Sequence, residues 1–267
     1  MNIYYYFFRI RFHIGLQYRA ASITSLITQF LWGFMECLAY KALLDTNAIA
    51  FPMEFSALVS YIWLKEAFLA LFTTWMTDND IFSMIIDGGI AYELCRPVSI
   101  YSMWYSKNIG GRLAAAALRC GPIILVALLL PKPFRLIFPK SMLSLSLFIV
   151  TMFLGLCVTV AFCMLVYILS FFTISPQGLR MVLTGAVEFL SGAIIPLPFI
   201  PNPVRGILEL LPFASMQNVP LRIYSGDLRG IAMVNAIVLQ IFWIVALVLF
   251  GKALCKLAER RVVVQGG

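Results

Sequence analysis

Apolar residues in this chain do not alternate in the two-residue rhythm of strands; they run in long blocks separated by short polar intervals. Read as helices, the blocks predict spans at about residues 20–43, 55–76, 109–130, 142–172, 181–195 and 231–254. A helix rising ~1.5 Å per residue crosses a hydrocarbon core of ~30 Å in ~20 residues. The fifth block is short by that measure and borders a proline-rich stretch; the fourth is long enough to tilt or to project beyond the bilayer. Residues 1–18, ahead of the first block, are aromatic and basic with Arg9 and Arg11, a pattern that predicts an amphipathic helix lying at the interface. The expected class is an all-α integral membrane protein with six transmembrane helices, forming one domain over residues 1–267.

The interval between the fifth and sixth blocks departs from a simple loop. Six of the 13 prolines fall there: Pro196, Pro198, Pro201, Pro203, Pro212 and Pro220. Proline removes a backbone donor, so no single spanning helix crosses this stretch. It is nevertheless too apolar for a solvated linker, as Leu210-Leu-Pro-Phe-Ala shows. The expectation is a re-entrant helical segment over residues 196–228 that dips into one membrane face and returns, buried against protein.

Composition agrees with the block pattern: 62% of residues are hydrophobic and only 12% charged, against roughly a quarter charged in soluble domains. No large soluble domain fits between the blocks. The net charge of +8 is scattered along the chain, which suits anionic headgroups and a positive-inside bias and excludes a nucleic-acid partner. With six spans, eleven of the 20 basic residues fall on the side of both termini, seven on the other side, and Lys65 and Arg119 within spans. That bias puts both termini in the cytoplasm, residues 77–108 in a cytoplasmic loop and residues 196–228 outside. Lys132, Arg135 and Lys140 fall on the outer side, against the rule.

In the loop at 77–108, Asp78-Asn-Asp has helix-capping character, residues 81–86 are apolar, and Asp87-Gly-Gly ends the run. Two short helices lying along the membrane would suit it. Arg96-Pro97 forms a corner, because the residue before proline is pushed out of helix. The corner is either a plain loop bend or a rigid knuckle that docks a cytoplasmic partner.

Several chemistries are missing. The one histidine, His13, sits in the interfacial segment, and there is no H-E-x-x-H, no G-x-S-x-G and no G-x-x-x-x-G-K-[ST] phosphate loop. The six cysteines make no C-x-x-C pair and read as small apolar packers. What remains are ionisable residues inside the blocks: Glu36, Lys65, Glu66, Arg119 and Glu188. Such groups are costly in lipid and face protein or water. They form a polar pathway or proton relay, or else internal ion pairs that fix helix packing, for instance Arg119 with Glu188 or Glu36. Lys65 and Glu66 are adjacent and should point in different directions on a helix. Gly185 and Gly192, two turns apart, would let the fifth span approach another helix closely.

The order of segments, together with Gly89-Ile-Ala-Tyr-Glu-Leu-Cys-Arg-Pro, Leu190-Ser-Gly-Ala-Ile-Ile-Pro-Leu and Leu211-Pro-Phe-Ala, resembles the permease subunit of ABC-2 type transporters, the small stand-alone bacterial permeases with a type V exporter-like fold. The resemblance covers essentially the whole chain. It implies an exporter of the bacterial inner membrane that pairs with a second permease protomer, the same chain or a related one. It also implies a separate cytoplasmic ATPase, which binds the ATP and Mg; this chain itself would be no enzyme and would hold no cofactor, metal or catalytic residue. Asp87, Gly88, Gly89, Tyr92, Glu93, Arg96 and Pro97 would form the ATPase-coupling loop with its coupling helix, and Pro196, Pro198, Phe199, Leu211, Pro212 and Phe213 a re-entrant gate. Glu36, Arg119 and Glu188 would make an intramembrane polar network. The cargo would be amphipathic or hydrophobic, because the candidate lining at 51–72 and 187–199 is aromatic and aliphatic. The rival expectation is an ion-coupled carrier or channel that uses Glu36, Glu66 and Glu188.

Overall fold

The computed structural model describes residues 3–17, 19–46, 51–139, 141–173 and 175–260, with the backbone alone at 19–23. Among these, every regular element is a helix. The chain begins with α1 (Ile3–Gln17) and α2 (Arg19–Thr46), then α3 (Phe55–Ala67), α4 (Leu69–Phe72) and the short α5 (Asn79–Ile86) and α6 (Ile90–Leu94). Two long helices follow, α7 (Ile100–Leu129) and α8 (Met142–Leu169), and then α9 (Pro176–Leu190). The short α10 (Asn202–Leu210) and α11 (Asn218–Ser225) lead into α12 (Gly230–Glu259).

Helix α8 is the axis of the bundle. It starts at Ser141, whose hydroxyl accepts from the N–H groups of Leu143 and Ser144 at 3.1 and 3.3 Å. Its second half, from Val158 to Ile168, is buried on all sides, as expected of a helix that is apolar all round. Helices α4, α7, α9, α11 and α12 pack on it. At Gly155 the α8 backbone runs against the Met216 carbonyl, leaving no room for a Cβ. Helix α1 buries no residue and lies along α7. There Gly110 faces the Phe8 backbone, and a Cβ on it would stand 2.6 Å from that carbonyl oxygen.

Three helices, not six, are long and apolar enough to cross a membrane among the described residues: Ile100–Leu129, Met142–Phe172 and Gly230–Glu259. The protein is therefore a multi-span helical membrane protein, but the six-span ABC-2 fold is not what forms. The reasons are local. The block at 55–76 breaks at Phe68 (φ −106°, ψ 14°) into helices of 13 and 4 residues and turns extended at Thr73; 13 residues rise only ~20 Å. The block at 181–195 becomes α9, 15 residues long, begun by the Ser175 cap and ended before Gly192, which adopts φ +80°. Helix α2 has the length, at 28 residues, but Thr24, Thr28, Gln29, Glu36, Lys41 and Asp45 dilute its apolar character. The third block, in contrast, starts earlier than expected: Ser99 caps α7 by accepting from Ser102 N–H, so residues 100–108 are continuous with the long helix rather than a separate segment lying along the membrane.

The ends of the α3–α4 segment are held by a residue whose position the charge count had put in the cytoplasm. Arg112 on α7 is 4% exposed. Its guanidinium donates to the carbonyls of Ala70 (3.3 Å), Leu71 (3.2 Å), Thr73 (2.6 Å) and Met76 (3.3 Å) and to Cys163 Sγ (3.3 Å), and its Nε donates to Asn108 Oδ1 (2.7 Å). The carbonyls of Ala70, Leu71 and Thr73 are those of the last turn and cap of a helix that stops inside the protein, and Met76 belongs to the non-helical chain that follows. The guanidinium satisfies them and stands at the negative end of α4.

Residues 196–228 form a 3-10 turn at Leu197–Phe199, then α10 and α11. Helix α11 is buried from Asn218 to Tyr224 and packs on α8 and α3. Arg222 anchors it, donating to Asp227 (2.5 Å) and Glu209 (2.6 Å). Burial by itself would lower the basicity of Arg222; the two carboxylates more than offset this and hold it above its usual value.

Candidate functional site

The ionisable residues of the apolar blocks converge on one cleft of about 980 Å³. Helix α2 supplies Thr28, Gln29, Trp32 and Glu36, α3 supplies Lys65 and Glu66, α7 supplies Arg119 and α9 supplies Glu188. The turn after α9 adds Ala193 and Ile194, and Trp75 stands at the rim. Trp32, Met35, Trp75 and Ile194 are each about half exposed or more, so the mouth is apolar and aromatic while the floor is charged.

Lys65 organises that floor. Its ammonium donates to Glu36 Oε2 at 2.5 Å and to the Ala193 carbonyl at 3.1 Å, and stands 3.7 Å from Glu66 Oε1. The expected pairing of Arg119 with Glu36 or Glu188 does not form: among the described residues Glu36 pairs with Lys65, and Arg119 and Glu188 make no ion pair. Lys65 and Glu66 do not diverge either; both are 6% exposed and both line the cleft. Three polar atoms in the cleft are buried without a hydrogen-bond partner: Gln29 Oε1, Glu36 Oε1 and Arg119 Nε.

Gln29 was missed in the sequence although a signal existed. Ser25, Gln29, Trp32, Glu36 and Ala39 recur at helical spacing along α2 and mark one polar face of a helix that is otherwise apolar. Glycine fared differently: a Cβ on Gly185 would meet nothing within 4 Å, so Gly185 makes no close helix approach, and Gly192 serves the left-handed turn instead. Close helix approaches are made instead at Gly155 and Gly110.

The residues of the proposed coupling loop divide. Asp87 closes α5 through its N–H to the Ser83 carbonyl, Gly88 takes φ +74°, and Gly89 opens α6. Glu93 points inward, 6% exposed, accepting from Trp104 Nε1 at 3.2 Å and lying 3.7 Å from Lys107 and 3.8 Å from Arg96. Tyr92 (81% exposed), Leu94, Arg96 and Pro97 point outward. In the proposed gate, Pro196, Pro198 and Pro212 are buried. Phe199 sits against Tyr40 and Phe51 with ring centroids 4.9 and 5.1 Å away, and Phe213 meets Phe162 edge-on. Leu211 is half-buried beside Leu197 and Leu208.

No group of three or more His, Cys, Asp or Glu side chains among the described residues is arranged to hold a metal. All six cysteines are free.

No family model matches the chain, and no curated protein matches it. The resemblance to ABC-2 permeases therefore fails: its motifs are short, no family model supports them, and the topology that gave them weight is replaced by one with three candidate spans.

Proposed function

We propose that this multi-span membrane protein is a transport subunit that passes an amphipathic substrate through the cleft between α2, α3, α7 and α9. The cleft carries this reading. A volume of about 980 Å³ with aromatic and aliphatic residues at its mouth and five ionisable groups inside suits a molecule with one apolar and one polar end, and ligand sites generally run from ~300 to ~1,000 Å³. Charges kept within a membrane protein at such cost are functional groups by default. No nucleophile–base pair accompanies them, so transport fits better than catalysis.

Energy for the step comes from a separate cytoplasmic ATPase that docks on the outward side chains Tyr92, Leu94, Arg96 and Pro97; the chain carries no phosphate loop of its own. The test is reconstitution. Vesicles holding the chain with its ATPase should show ATP-dependent flux of an amphipathic dye, and Ala39→Trp, which fills the cleft from α2, should reduce that flux severalfold. Undiminished flux in the Ala39→Trp protein overturns the proposal.

One observation favours a second reading, an ion-coupled carrier: Glu36, Glu66 and Glu188 share the cleft. In that case vesicles with the chain alone would show flux driven by a proton or sodium gradient. The Gln variants of the three carboxylates would abolish it.

A further inference from the structure

The cleft is unevenly charged and unevenly satisfied, and we infer that it binds the ammonium head of an amphipathic primary amine. The inference deepens the transport reading and rests on it. Three carboxyl groups, Glu36, Glu66 and Glu188, face two basic groups, Lys65 and Arg119, so the acidic groups outnumber the basic ones by one. Lys65 is already engaged by Glu36 and the Ala193 carbonyl. Glu188 makes no hydrogen bond and no ion pair among the described residues, so it is free to meet an incoming cation.

The unpartnered atoms point the same way. Gln29, only 6% exposed, holds its Oε1 without a donor, and Glu36 Oε1 is likewise unpartnered. Both are acceptors in a buried setting, where leaving a polar group unsatisfied is costly. A primary ammonium brings three N–H donors on a compact charge; a quaternary ammonium brings the charge with none. The indoles of Trp32 and Trp75 at the mouth attract a passing cation through their ring faces. An alkyl or aryl tail then lies along Met35, Leu69 and Ile194. Arg119 Nε, a buried donor without a partner among the described residues, disfavours a second cation and suits a ligand with a single positive charge plus an acceptor.

The experiment uses the full chain in phosphatidylcholine nanodiscs, whose lipid carries no primary amine. A dansyl-tagged dodecyl amine reports occupancy by energy transfer from tryptophan, and unlabelled competitors displace it. Dodecylamine should compete at about tenfold lower concentration than dodecyltrimethylammonium, a difference of ~1.4 kcal/mol, and dodecanoate should not compete. Glu188→Gln and Gln29→Leu should each weaken the amine about tenfold without lowering the unfolding midpoint. Glu188→Gln breaks no ion pair, so it keeps the test valid if Gln29→Leu fails to fold. Equal competition by the trimethyl compound or by dodecanoate, or an unchanged affinity in Glu188→Gln, overturns the inference. Phosphatidylethanolamine that displaces the probe identifies a lipid headgroup as the source of the ammonium; failure to displace it identifies a free amphipathic amine. The transport reading fails separately: flux of an anionic or neutral amphipath that Ala39→Trp blocks removes the ammonium inference alone, whereas flux that Ala39→Trp leaves intact removes the transport reading.

Discussion

Arg112→Leu should destabilise the protein more than any other single change at a charged residue. The side chain is 4% exposed and has no carboxylate partner; its charge is met by the carbonyls of Ala70, Leu71, Thr73 and Met76 together with Asn108 Oδ1. A net ~1.5–3 kcal/mol attaches to a hydrogen bond made by a charged group. Full weight for the bonds at 2.6 Å to Thr73 and 2.7 Å to Asn108, and little for the three carbonyl bonds at 3.2–3.3 Å, gives ~3–6 kcal/mol. Leucine also leaves the carbonyls stranded, while relief from burying a charge works in the other direction; the ~3–6 kcal/mol range therefore stands as the net expectation. Lysine keeps the charge and can reach Thr73, but it cannot span from Ala70 to Met76, so Arg112→Lys should cost ~1–2 kcal/mol. Equilibrium unfolding in mixed micelles, followed by tryptophan fluorescence, measures both. A leucine variant within ~0.5 kcal/mol of the native protein, the range of ordinary surface changes, would refute the view that Arg112 holds the end of α4 in place.

Other sites give narrower expectations. Gly155→Ala drives a Cβ into the Met216 carbonyl and should cost ~2–3 kcal/mol, read as a lower unfolding midpoint; an unchanged midpoint would show that α8 and the chain at Met216 can separate freely. Gly192→Ala forces alanine to φ +80°, a strain of ~1–2 kcal/mol by the same assay. Arg222→Leu removes the partner of Asp227 and Glu209 and should cost ~2–3 kcal/mol, because Glu209 is 37% exposed and in part solvated; adding Asp227→Asn should restore part of that loss, and strict additivity of the two changes would sink the network. Gln240→Leu strands the carbonyls of Thr151 and Ser215, which its amide reaches at 3.2 and 2.8 Å, so α12 should loosen from α8 with a loss of ~2 kcal/mol in the unfolding curve.

The helical class was plain in the block pattern, and so was α5, since Asp78 announces a cap and Asp87-Gly-Gly an end. The number of spans was not legible. An apolar run reads alike whether it faces lipid or protein, and the run at 55–76 is protein core: residues 58–67 are all buried, charged ones included. The carbonyls where it ends are met by Arg112, some 40 residues away, and no local pattern carries that contact. The cleft was half legible. Glu36, Lys65, Glu66, Arg119 and Glu188 declared themselves as ions in apolar blocks, and Gln29 could have been read from its place on the same face of α2 as Glu36. Which cation met which carboxylate depended on the register of α2 against α3, and that is a property of packing. The seven residues assigned to one coupling surface likewise shared a stretch of chain but not a direction: Glu93 turned inward because Trp104 and Lys107 on α7 lay behind it.

Helix α9 carries Glu188 into the cleft, yet it buries only Pro176, Thr184 and Val187 and turns Met181, Val182 and Phe189 away from the protein. In a lipid bilayer such a helix loses little by sliding: hydrocarbon replaces protein as neighbour to its apolar side chains, and the hydrophobic effect does not resist the exchange. What does resist is polar and sits at the two ends: Arg180 donates to Asn79 Oδ1 and to the Trp75 carbonyl, each at 2.9 Å, and past the other end Lys65 donates to the Ala193 carbonyl at 3.1 Å. Helix α9 is thus pinned near its two ends and lightly held along its length. The width of the cleft becomes a matter of those two polar ties, and the first of them ends on Asn79, in the same short helix that closes at Asp87.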